Sequence, residues 1–347
     1  MRFTHLRVAA VLTLCSSAVL GLGGTSQAED ATTPPMPTIN VRLTGLATSE
    51  QLFQIEVFAD EITPLPTGQP VTASWTDAAT GIVSTSSAVV EADNIARFQI
   101  QSWRSTAVTV VYGASTAMVE VSVAPARAPI TAPAKAPPQQ LAYRINLDPA
   151  AIGLGANSSV AMLSSERQAS MTGKSWHQGC IAFSSLREVQ INYWGVDGYR
   201  HRGILIANAA VVPSIRKAFT ALYNHGYRLR SMHPVDVYGK NRASIGANDY
   251  ASMAAGNTSM FNCRYQVGKE HRRVWSPHAN GRALDINPWE NPYLARGGVV
   301  PNRWWFDTRA SSPLVIRGNS PVTTILRANN WRWGAWFKDY QHFDYRG

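Results

Sequence analysis

Cysteine is scarce in this chain: three in 347 residues, one of which, Cys15, lies in an apolar leading segment. Cys180 and Cys263 remain, and in an oxidising compartment such a pair is most simply one disulfide. Free thiols and a metal site are the alternative readings. Long apolar runs are also missing beyond the leader, since no later stretch approaches the roughly 20 residues of a membrane helix. No membrane span is therefore expected in the mature chain. Residues 36–123 contain no histidine and no cysteine, and their carboxylates are scattered. That excludes imidazole or thiol chemistry there and leaves a spacer or binding module as the expectation.

Acidic residues are short in the second half. Residues 31–123 hold 3 basic and 8 acidic side chains, whereas residues 141–347 hold 25 basic and 12 acidic. A basic half suits any polyanion, nucleic acid included. The leader narrows this. In "MRFTHLRVAAVLTLCSSAVLGLGGTSQAED", Arg2 and Arg7 precede an apolar run at 8–22, and "SQA" precedes Glu29. This pattern reads as a signal peptide over residues 1–28. Its removal lowers the net charge from +10 to +8, because two arginines leave with it. A secreted or cell-wall-associated protein is expected, with an anionic envelope rather than nucleic acid as partner.

At this length two ordinary domains are expected. After a short proline-rich spacer, residues 36–123 alternate in short β-branched runs separated by turn residues. "INVRL", "FQIEVFA", "VTASWTD", "GIVSTSSAVV", "ARFQIQSW", "AVTVVYG" and "AMVEVSV" predict about seven strands and an immunoglobulin-like β-sandwich. "APARAPITAPAKAPPQQ", residues 124–140, predicts a semi-extended, solvated linker. Residues 141–347 mix element types, so an α+β domain with a small antiparallel sheet is expected. "NAAVVPSIRKAFTALYNHG" predicts a helix with Ile215, Phe219 and Leu222 on one stripe, Pro213 near its start and Gly226 at its end. "NSPVTTILRANN" predicts another, with Ser320 as N-cap and Pro321 at the first helical position. "LREVQINYWGVDG", "YRLRSMHPV" and "FNCRYQVG" read as strands, and "WRWGAWF" as an aromatic strand or loop.

In "SPHANGRALDINP", His278 and Asp285 stand seven apart. That spacing is wrong for one helix face, but a tight reversal at Asn280-Gly281 would bring both to one ion. Apolar Ala283, Leu284 and Ile286 surround Asp285, so its carboxylate is expected to be buried, and a buried carboxylate needs a cation. "KDYQHFDYRG" adds His342, with Asp339 three residues before it. A catalytic zinc takes three protein ligands, and a nearby acid accepts the proton of the water. His278, Asp285 and His342 fit the ligand roles, and Asp339 fits the base. His177, His201, His225, His233 and His271 are read as surface or core residues. Trp275, Trp289 and Trp336 stand close enough in sequence to the motifs to line a groove.

These residues resemble a known family. Ser276, His278, Gly281, Ala283 and Asp285 match the Ser-x-His-x-x-Gly-x-Ala-x-Asp signature of the zinc D-alanyl-D-alanine carboxypeptidases and L-alanyl-D-glutamate endopeptidases. Asp339 and His342 match the later acid-x-x-His, with Asp where many relatives carry Glu. The resemblance covers roughly residues 176–345 and leaves the sandwich outside. It implies a hedgehog-like catalytic fold, a Zn2+ cofactor and hydrolysis of peptidoglycan stem peptides, while the basic charge of this half makes anionic wall polymers a further expected partner, and a monomeric chain is expected. It also implies a substrate-holding arginine, for which Arg264 is the first candidate and Arg228 the second. The rival expectation is a catalytically silent wall-binding protein that keeps zinc as a structural staple.

Overall fold

The computed structural model describes residues 36–49, 51–76, 83–139 and 149–347. The expected signal peptide, most of the short spacer after it and residues 140–148 lie outside the described residues.

Seven strands build the first half: β1 (Ile39–Thr44), β2 (Leu52–Ala59), β3 (Pro70–Thr76), β4 (Val83–Val89), β5 (Ala96–Gln101), β6 (Thr106–Tyr112) and β7 (Ser115–Val121). They form two antiparallel sheets, ordered β1-β2-β5 and β4-β3-β6-β7. Successive side chains in a strand point to opposite faces. Phe53, Ile55 and Val57 of β2, Phe98 and Ile100 of β5, Val71 of β3 and Val108 and Val110 of β6 therefore fall into one shared core. The intervening polar residues face outward.

Residues 124–139 carry no helix or strand but do not stand free in solvent. The backbone N–H of Arg127 donates to Gly198 (3.2 Å) and that of Ile130 to Val196 (2.8 Å). The Arg127 guanidinium lies 4.3 Å from the Trp194 ring centre. Farther along, Arg230 Nη1 donates to Gln139 Oε1 (3.1 Å). The proline-rich segment thus has its polar groups met by the second half rather than only by water. Direct contacts add to this: Tyr199 Oη donates to the Val123 carbonyl (2.6 Å), and Arg200 stacks over Trp103 at 4.5 Å.

In the second half, β8 (Ser159–Ala161), β9 (Leu186–Gly195), β10 (Arg200–Asn208) and β11 (Arg228–Leu229) share a sheet. The short helix α1 (Ser165–Met171) precedes β9. Helix α2 (Val212–His225) sends Ile215, Phe219 and Leu222 into a core with Val189 and Ile191 of β9 and Leu205 of β10. Pro213 stands in its first turn, and Gly226 ends it in the left-handed region at φ 79°. Both agree with the sequence pattern.

Two expected strands fall short. Of "YRLRSMHPV", Arg228 and Leu229 alone form a strand, in parallel with β9, and Ser231 adds an isolated bridge to Asn257. "FNCRYQVG" is extended but forms no ladder. Its amides go to scattered positions: Phe261 to Ile206 (3.1 Å), Asn262 to His278 (3.2 Å), Cys263 to Ser175 (2.9 Å) and Gln266 to Val274 (2.8 Å). Without one continuous partner, β propensity cannot become a strand.

The remaining elements are α3 (Asp249–Ala254), β12 (Ala283–Asp285), β13 (Tyr293–Ala295), β14 (Gly298–Val300), α4 (Arg303–Thr308), α5 (Pro321–Arg327), β15 (Trp331–Trp333) and β16 (His342–Tyr345). Ser320 does precede α5, but its hydroxyl donates to the Arg317 carbonyl (2.9 Å) instead of accepting from a helix amide. Strands β12, β16 and β15 form a small antiparallel sheet in that order. Leu284, Phe343 and Trp331 root it in the core beneath α2. Cys180 and Cys263 are disulfide-bonded, with Cα atoms 6.1 Å apart.

Candidate metal centre and cleft

Ser276 opens a single 3-10 turn, Pro277–Asn280, and its hydroxyl accepts from the His278 amide (3.3 Å). Gly281 ends the turn in the left-handed region at φ 61°. The expected hairpin-like reversal is therefore a turn of helix, favoured by Ser276 at its cap and Pro277 at its first position. Gly281 also packs closely: a Cβ there would sit 2.8 Å from the Asn208 amide nitrogen. The chain then enters β12 and delivers Asp285.

Asp285 and His342 are register partners across β12 and β16. His342 Nδ1 lies 3.1 Å from Asp285 Oδ1, and His278 Nε2 lies 3.2 Å from Asp285 Oδ2 and 3.2 Å from His342 Nδ1. All three residues are buried. The outer nitrogens are also engaged. His278 Nδ1 donates to the Met260 carbonyl (2.5 Å), and His342 Nε2 donates to Asp344 Oδ1 (3.0 Å). With the outer atoms so engaged, each inner nitrogen is the one left to bind an ion once any proton it carries in the metal-free site is lost. Such a converging set calls for a shared cation, and a His-Asp-His donor set fits zinc. The three residues could hold a metal ion.

The charges at the centre act strongly on one another. Burial works against ionised Asp285, but the charges and hydrogen bonds of His278 and His342 outweigh it and hold the carboxyl far below its ordinary range. Burial likewise opposes a charged His342. Hydrogen bonds to Asp285 and Asp344 prevail, and its pKa in the metal-free site rises to about 10.

The same cleft is lined by Asp339, Arg264, Lys269, Tyr293 and Asp344. Asp339 is buried, and its Oδ1 has no hydrogen-bond partner. Burial pushes its pKa up to about 7, with the charge of Asp285 adding and that of His342 opposing. An acid so placed can exchange a proton near neutrality. Arg264 is buried and pairs with Asp249 (Nη2 to Oδ2, 2.7 Å) while donating to the Tyr265 carbonyl (3.0 Å). Arg228 does not line the cleft; it donates to the carbonyls of Gly195 (2.8 Å) and Ala128 (3.2 Å).

None of the three tryptophans lines this cleft. Trp289 is buried with Trp305 and Val315, Trp275 is exposed beside Tyr265, and Trp336 is exposed beneath Arg332. Nearness in sequence to a motif did not translate into nearness to the cleft, whose aromatic walls are Tyr293 and Phe337. Sequence reasoning missed Asp344, although the signal was there: in a strand, His342 and Asp344 share a face. It also missed Asp249, whose partnership with Arg264 spans a loop. His177 stands beside Cys180 and Cys263, but both sulfurs are spent on the disulfide.

Residues 269–345, which hold both motifs, match a family model described as D-alanyl-D-alanine carboxypeptidase. The match supports the resemblance drawn from those motifs and, in general terms, a peptidase acting on peptidoglycan. No curated protein and no solved structure matches the chain.

Proposed function

We propose that this protein is an exported zinc metallopeptidase that hydrolyses an amide bond in peptidoglycan stem peptides. The bond is either the terminal D-Ala-D-Ala amide or an internal L-Ala-D-Glu type amide. The observation that carries the reading is the convergence of His278, Asp285 and His342 in one cleft with Asp339, a buried acid whose Oδ1 is unpartnered. A purely structural metal site has no use for that acid.

His278 Nε2, Asp285 and His342 Nδ1 would hold the ion, while Met260 and Asp344 keep the two rings in orientation. A bound zinc ion supplies Lewis-acid activation of water and of the scissile carbonyl. Asp339 then accepts the proton of the attacking water and passes it to the departing amine. Arg264, steadied by Asp249, donates to the substrate oxygen that gains charge or to a substrate carboxylate. In this reading the catalytic half adopts a hedgehog-like fold, and the two-sheet half is an immunoglobulin-like module that serves as spacer or wall-binding unit.

The test is mass spectrometry of muropeptides after incubation with the enzyme, with and without a chelator, beside an Asp339→Ala variant. The expected outcome is cleavage by the metal-loaded wild type only, with metal still bound to the variant. Normal turnover by the variant removes Asp339 from the mechanism. A metal-loaded wild type that cuts nothing overturns the enzymatic reading in favour of a structural zinc.

A further inference from the structure

Beside the cleft the surface carries cations that outnumber the nearby carboxylates and form no ion pairs among the described residues. Lys269 lines the cleft itself, its ammonium donating to Gln266 Oε1 (2.9 Å). The chain continues outward through the 3-10 turn Glu270–Arg272 to Arg273, and Arg272 and Arg273 are both exposed. Arg296 joins them from the β13–β14 hairpin. Its backbone packs against Gly268, and its Nη1 lies 3.4 Å from His271 Nε2. Tyr265, Glu270, His271 and Arg273 share a shallow depression with residues 243–245, which follow exposed Arg242 in the chain.

Two acids stand in this neighbourhood, and only Asp249 has a cationic partner, so Glu270 offsets one charge of the five cations. Asp249 is buried against Arg264 at 2.7 Å, and Glu270 accepts from Tyr250 Oη at 3.0 Å. Among the described residues, Arg242, Lys269, Arg272, Arg273 and Arg296 have no carboxylate within ion-pair distance, unlike Arg97, Arg167 and Arg230 elsewhere in the chain. Like charges held together repel, and an anion lying across them relieves that repulsion. Four of the five are arginines, whose planar forks match phosphate oxygens two at a time.

We propose that this rim is a docking surface for a phosphodiester polymer of the cell wall, which holds the cleft against the peptides it cuts. The proposal rests on the reading of the cleft as a peptidase acting on peptidoglycan. The patch is continuous with that cleft through Lys269 and through Tyr265, the neighbour of Arg264.

The experiment uses the full, metal-loaded chain and an R242E/R272E/R273E variant. Each is co-sedimented with isolated cell walls before and after hydrofluoric acid strips their phosphodiester polymers. A milder R272Q/R273Q variant is run alongside in case the triple variant does not fold. The wild type should bind native walls in a salt-sensitive way and lose that binding on stripped walls. Charge reversal at three sites should weaken binding on the order of a hundredfold, and the Gln variant should weaken it less. Both should hydrolyse a short soluble stem peptide as the wild type does. Unchanged binding by the variants, or undiminished binding to stripped walls, overturns the proposal. So does tighter retention on duplex DNA than on native walls at equal salt. A wild type that binds native walls but cuts no soluble peptide leaves the docking surface standing and fails the peptidase reading instead.

Discussion

Asp285 and His342 face each other as register partners in adjacent antiparallel strands, with Oδ1 and Nδ1 3.1 Å apart. Backbone pairing, not a flexible loop, fixes this part of the centre. The third member, His278, is held by a capped turn and by the Met260 carbonyl.

Metal uptake should release protons. His342 in the metal-free site has a pKa raised to about 10 from 6.5, so its ring is charged at neutral pH and must lose a proton to become a ligand. Apparent zinc affinity should fall as the pH drops, and titrating zinc into weakly buffered metal-free protein should acidify the solution. For stability the sign is equally definite. A raised folded pKa stabilises the metal-free fold fully below about 6.5, and that contribution is lost as the pH climbs through about 10. Calorimetric titration in buffers of different ionisation enthalpy counts the protons.

Asp344 should govern metal affinity without touching the ion. Its Oδ1 accepts from His342 Nε2 at 3.0 Å, which leaves Nδ1 as the lone-pair atom facing the centre. Asp344→Ala should weaken zinc binding by about 10- to 100-fold, as loss of such outer partners does. Asp344→Asn keeps an acceptor and should recover part of it. Competition against a chromophoric chelator measures both.

Gly281 should tolerate no side chain. It sits at φ 61°, and a Cβ would meet the Asn208 amide at 2.8 Å. Gly281→Ala should cost about 1–3 kcal/mol of stability. Because the turn carries His278, zinc affinity should fall with it, whereas Ala at open Gly297 should change neither. Denaturant unfolding with and without metal separates the two effects.

The Cys180–Cys263 bridge should matter to stability more than to chemistry. It closes a separation of 83 residues and anchors the extended segment that carries Arg264. Replacing both cysteines with Ser should destabilise the fold by about 2–5 kcal/mol. Thermal unfolding under oxidising and reducing conditions reads this directly.

Much of the centre could be read from spacing, because two of its three converging side chains lie in one short motif and the third in another. Of the outer contacts, Asp344 could be read from its i+2 spacing to His342 once a strand was assumed, but the Met260 carbonyl could not. Which ring nitrogen of His278 or His342 faces inward depends on Met260 and Asp344, and the three-dimensional contacts reveal it. Helix α2 was legible from its apolar stripe and its terminating glycine. The segment around Arg264 was not, because its β-prone residues found several partners instead of one. Trp289 was misread for a related reason: an aromatic near a motif packs wherever the core has room, here against Trp305 and Val315.

The proline-rich segment between the two halves behaves as a strut. Arg127 over Trp194 and the amides of Arg127 and Ile130 fasten its first part, and Gln139 fastens its end. A free tether sets a range of reach through its contour length. A fastened one sets a fixed offset, so anything gripped by the two-sheet half is presented to the cleft at one distance. Inserting flexible residues between Gly-free stretches of this segment would lengthen the chain without lengthening the reach, until Trp194 lets go.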